Sequence, residues 1–312
     1  LSVKLPATPE AWAIRLTQLL NAVQDAHGQP RFPIDVAAIA MEFSRHYFPD
    51  APITMVAGAP MSKGVEGMLV QKKDGSGEWG ILYNNNIGSP GRQNFTLAHE
   101  FGHYLLHRAE LAQGRECSGR DMGEWSNGRQ RTRHEIVEAE ANTFASFLLM
   151  PLDDFRDQIR TRPIDIDTLT EMADRYAVSL TAAILKWLSI TEKRAMIVVG
   201  KDGFMDWAWS SNALIRSGIY YAARQEVIEL PPASLAAQGA HPEAGRNGVM
   251  HAPGVWRGTE AVHEMTVFSP SNEMTISLLL YPDRAPTPQE MAALEDEPVP
   301  DTFDRFMDGG RR

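Results

Sequence analysis

The chain has 312 residues, 43% hydrophobic and 22% charged, with a net charge of −10, an ordinary globular composition with room for about two domains. That acidity argues against coating nucleic-acid phosphates and favours a basic or peptide partner. A single cysteine, Cys117, excludes an internal disulfide framework and fits a reducing compartment, so the cytoplasm is the expected location.

No stretch approaches the roughly 20 apolar residues of a membrane span, and the opening LSVKLPATPEAW lacks the charged-then-apolar order of a signal peptide. Apolar spacing predicts a helix over 11–25 and a second one after Phe32, with Pro33 at or near its first turn. GMLVQ (67–71) and WGILY (79–83) read as the two arms of a hairpin around KKDGSGE. A helical pattern runs from Gln93 to Arg108, with Asn94 or Thr96 near its start. The Gly-rich, charged stretch 109–133 reads as a mobile insertion, and a strong helix over 134–150 is closed by Pro151. Two short helices are expected within 165–190. The composition then shifts to β-like runs, MIVVG, MDWAW, VHEMTVF and MTISLLLY, the last two a hairpin, before a Pro-rich acidic end.

The segment HEFGHYLLHR (99–108) carries three histidines, each four residues apart. On a helix, residues four apart lie on one face about 6 Å from each other, so His99 and His103 can aim imidazole nitrogens at one ion. Glu100, one step round, is then a general base for a metal-activated water, the H-E-x-x-H arrangement. His107 extends the stripe but lies about 12 Å along the axis from His99, too far for the same tetrahedral site. Packing or a cleft-rim position is expected for it, and a third ligand must come from elsewhere.

The helix over 134–150 supplies a candidate. His134, Glu138 and Asn142 form one polar stripe at i, i+4, i+8 on an otherwise apolar helix. Glu138 is therefore the expected third ligand, while Glu140 points about 200° away. Asn142 is placed to orient a ligand imidazole. His134 is the first candidate for an oxyanion donor, with Tyr104 a weaker one. Cys117 reads as a loop thiol, and Trp207 and Trp209 as sheet-core residues rather than a base-stacking platform.

LAHEFGHYLLH (97–107) and EAEANTFASFLLMP (138–151) resemble the paired signatures of the ImmA/IrrE-type metallopeptidases, and LTEMADRYAVSLTAAILKWLSI extends the likeness to roughly 10–190. The resemblance implies zinc held by His99, His103 and Glu138, Glu100 as catalytic base, and limited cleavage of a helix-turn-helix transcriptional repressor that releases stress or mobile-element genes. The same ligands accept manganese or iron. The long insertion and the C-terminal part depart from that pattern.

The expected fold class is α+β. Residues 1–160 form a zincin-like metallopeptidase domain and 161–191 a helical region resembling a helix-turn-helix. Residues 192–283 form a mostly β sensor or docking domain, and 284–312 an unstructured acidic tail. The rival reading is a non-proteolytic regulator with a structural zinc site that binds DNA or a protein. The helix pair offers only Lys186 as a cation on its second helix, so DNA is the less favoured partner.

Overall fold

The computed structural model describes residues 5–28, 30–62, 64–86, 89–111, 132–223, 226–239, 242–270 and 273–284. Cys117, most of the expected insertion and nearly all of the acidic tail lie outside them. The described residues divide into two compact units, one drawn from 5–156 and 174–179, the other from 157–173 and 180–284. The mixture of helices and sheets is the α+β class expected.

The first unit begins with α1 (Pro9–His27) and α2 (Val36–Tyr47). Pro33 lies three residues ahead of α2, near its first turn as expected. Asp35 is the N-cap, its side chain accepting from the Ala38 amide, because a short carboxylate satisfies an otherwise orphaned donor there. Three strands follow, β1 (Ile53–Ala59), β2 (Gly67–Gln71) and β3 (Trp79–Asn84), in the order β1-β3-β2. The expected hairpin is β2 with β3, in register from Gly67 opposite Tyr83 to Gln71 opposite Trp79. β1 pairs parallel to β3, a strand the sequence reading missed. The burial of ITMVAGA does not alternate cleanly, and Met55 is exposed, so no period-2 signal marked it.

The α3 helix (Pro90–Leu111) starts three residues before the expected Gln93. The Ser89 hydroxyl and carbonyl receive the Arg92 and Gln93 amides, and Pro90 fills the first helical position, where its missing N–H costs nothing. The α4 helix (Arg133–Leu149) opens on a capping box between Thr132 and Glu135. Both helices bury aromatic and small residues in this unit's core: Phe101, Tyr104, Ala141, Phe144 and Ala145 are fully covered. Phe101 and Phe144 meet edge to face at 5.7 Å, and Tyr104 meets Trp79 and Phe48 in the same manner.

The α5 helix (Leu152–Ile159) follows Pro151 immediately, where only a helix end was expected. The expected short pair is α6 (Ile166–Tyr176) and α7 (Leu180–Ile190). Lys186 of α7 is 1% exposed, so this helix presents no cation to phosphates.

In the second unit, β4 (Ala195–Lys201) and β5 (Phe204–Ser210) form a hairpin. Three short helices follow, α8 (Asn212–Arg216), α9 (Leu235–Gln238) and α10 (Pro242–Asn247), and then β6 (Val249–His251), β7 (Val262–Ser269) and β8 (Met274–Leu280). The five strands lie in the order β5-β4-β8-β7-β6, every pairing antiparallel. Met196, Val198, Trp256, Leu279 and Tyr281 belong to its core. Glu264 is fully buried there yet satisfied, receiving the Leu235 and Ala236 amides, the Trp256 indole and the Thr266 hydroxyl.

Candidate metal centre

The centre is built between α3 and α4, which run antiparallel: His99 reaches Asn142, His103 reaches Glu138, and Glu110 reaches Arg133. Gly102 makes the close approach tolerable. A β-carbon there would lie 2.9 Å from Phe144 Cδ1 and 3.2 Å from the Ala141 backbone, so any larger residue meets atoms that cannot step aside.

At this seam His99 Nε2 and His103 Nε2 lie 2.9 Å apart. Glu138 Oε2 is 3.4 Å from the first and Oε1 is 3.4 Å from the second. Ligands on a tetrahedral ion with bonds of about 2.1 Å are separated by roughly 3.4 Å. The two carboxylate separations match that figure, and the histidine pair is slightly closer. Both imidazoles are buried and Glu138 retains 18% of its side-chain exposure.

Hydrogen bonds and neighbouring charges set the protonation of each donor. His99 Nδ1 is 2.8 Å from Asn142 Oδ1, and an amide oxygen only accepts, so Nδ1 carries the hydrogen and a neutral ring turns a bare Nε2 inward. Burial pulls the His99 pKa down, but hydrogen bonding and charge from Glu138, with help from Glu100 and Asn142, raise it overall. Burial and the neighbouring His99 charge depress His103 to about 4. Burial opposes ionisation of Glu138, yet its contacts with His103 and His99 hold it well below the usual carboxylate range. Two imidazoles and an ionised carboxylate pointing at one spot form a donor set suited to a divalent ion.

Glu100 is 8% exposed and lies under β2, its Oε1 only 3.0 Å from where a Gly67 β-carbon would stand. The absence of that carbon makes room for the carboxylate. Asn142 lies in hydrogen-bonding reach of His99, and His134 lies half-buried in the first turn of α4, one turn ahead of Glu138. Tyr104 is engaged elsewhere: its hydroxyl donates to the Ala51 carbonyl at 2.6 Å within the aromatic core, which removes it as an oxyanion donor.

Sequence reasoning passed over one pair. His107 Nδ1 lies 3.1 Å from His103 Nδ1, and His107 Nε2 lies 2.9 Å from Glu140 Oε2. Glu140 stands outside the donor cluster, but its long side chain reaches across to α3. The available signal was the third histidine of the stripe, spaced to touch the second.

Residues 61–188 match the Peptidase M78 family, described as the IrrE N-terminal-like domain. The chain carries an IrrE N-terminal-like domain. This supports membership of the ImmA/IrrE family, and the match contains His99, His103 and Glu138 of the candidate centre. A solved Mycobacterium tuberculosis transcriptional regulator is similar with a TM-score of 0.49 at 14% identity, covering 86% of this chain and 76% of that one, a likeness too low to carry a functional argument. No curated protein matches the chain. No helix among the described residues is long and apolar enough to cross a membrane.

Proposed function

We propose that the IrrE-like domain is a zinc-dependent endopeptidase making limited cleavages in a protein substrate. The observation that carries this reading is the convergence of His99, His103 and Glu138 within 4.8 Å of one another, in a domain of a peptidase family and with Glu100 on the next step of the same helix. When bound, zinc supplies a Lewis acid that polarises a peptide carbonyl and makes water a nucleophile near neutral pH. Glu100 accepts the proton of the attacking water and returns it to the leaving amine. Its shielding from solvent and its charge beside His99 suit that role. His134 is the proposed donor to the developing oxyanion.

Among the described residues β2 is an edge strand, and Gly67 at its start lies against Glu100. An extended substrate segment adding to that edge would gain main-chain hydrogen bonds while its backbone passes the carboxylate. The proposed substrate is a transcriptional repressor of the helix-turn-helix type, cleaved in the cytoplasm to release stress or mobile-element genes. Residues 192–283 serve as its sensor or docking module. With Lys186 buried, a protein substrate is favoured over DNA.

The test compares wild type with Glu100→Gln on candidate repressors, with metal analysis of both. Zinc retained in the variant together with lost cleavage supports the reading. Equal cleavage by both proteins rejects it, and no cleavage by either, with zinc bound, favours the non-proteolytic regulator.

A further inference from the structure

We propose that His107 and Glu140 are positioning residues that fix the tautomer and ring orientation of His103, an inference resting on the metal-centre reading above. Glu140 Oε2 lies 2.9 Å from His107 Nε2, and an ionised carboxylate only accepts, so that nitrogen carries a hydrogen. A neutral His107 then has a bare Nδ1. That atom sits 3.1 Å from His103 Nδ1, and having no hydrogen of its own it accepts one from His103. With its hydrogen on Nδ1, His103 turns a bare Nε2 toward His99 and Glu138. One carboxylate thus sets both rings.

Asn142 serves His99 in the same sense, accepting from its Nδ1. Each ligand imidazole therefore has its outer nitrogen committed, which raises its basicity and holds its plane. The two anchors differ in how they are exposed. Asn142 is buried, whereas Glu140 retains 36% of its side-chain exposure and lies at the outer end of its chain of contacts. A simpler alternative is that His107, 2% exposed, only fills space between the helices.

The experiment measures the zinc dissociation constant of the full chain by competition with a chromophoric chelator, alongside the His107 tautomer from two-bond proton–nitrogen spectra. Glu140→Ala and His107→Leu are expected to weaken zinc about 10–100-fold. Glu140→Gln, whose amide oxygen still accepts from Nε2, and His107→Asn, whose Oδ1 stands where Nδ1 stood, restore most of it. In wild type His107 is the Nε2–H form, and in Glu140→Ala it becomes a mixture. Glu140 is far enough from the core that its loss leaves the fold intact even if His107→Leu does not. Zinc affinity in Glu140→Ala within about twofold of wild type overturns the relay while leaving the centre standing. If instead His99→Ala binds zinc as tightly as wild type, the metal-centre reading falls and the relay falls with it.

Discussion

His99 Nδ1 lies 2.8 Å from Asn142 Oδ1, a contact between two helices whose residues are 43 positions apart. It commits the outer nitrogen of His99 and turns the inner one toward His103 and Glu138. Replacing Asn142 with Leu removes the acceptor at similar volume. Zinc affinity is expected to drop about 10–100-fold, while Asn142→Asp keeps an acceptor and holds most of it. Chelator competition reads this directly, and equal affinity in the Leu variant would show that the contact is incidental.

The seam at Gly102 is the second point of leverage. Gly102→Val places carbon against the Ala141 backbone and the Phe144 ring, an overpacking expected to cost about 1–3 kcal/mol. Because the helices must part to admit it, zinc affinity should fall with stability. Denaturant unfolding and metal titration together check this, and a loss of stability with unaltered zinc binding would separate the seam from the site.

Gly67 predicts the opposite split. A β-carbon there would lie 2.5 Å from Thr96 Cγ2 and 3.0 Å from Glu100 Oε1, so Gly67→Val displaces the proposed base without touching His99, His103 or Glu138. Peptidase activity should fall toward the roughly 10²–10⁴-fold that a positioned general base contributes, with zinc affinity near wild type. Full activity in this variant would mean that Glu100 does not need its present position.

Zinc binding should also depend on pH in a defined direction. Glu138, held below the usual carboxylate range, is already ionised and adds no proton competition. His99, raised above the ordinary histidine value chiefly because Glu138 outweighs burial, keeps a proton that the metal must displace. Affinity therefore falls as pH drops through the His99 pKa, by up to about tenfold per unit. His103, at about 4, joins only in acid. A dissociation constant flat across neutral and mildly acidic pH contradicts this account.

The local parts of this protein were legible in its sequence. Four-residue spacing makes His99 and His103 neighbours on any helix, and the same spacing aligns Glu138 with Asn142, because one turn of a helix is a fixed geometry. Short apolar, β-prone runs set between turn residues likewise announced β2, β3 and the β7–β8 hairpin. What only the tertiary structure decided depends on how separate elements cross and how far side chains reach. The parallel seat of β1 beside β3, the approach at Gly102 and the lodging of Glu100 under Gly67 are of this kind. So is the arm of Glu140 that meets His107 although its helical phase points elsewhere. Helical phase states a direction for each Cβ, but a glutamate has further rotatable bonds, and only the packed partner helix determines where its charge comes to rest.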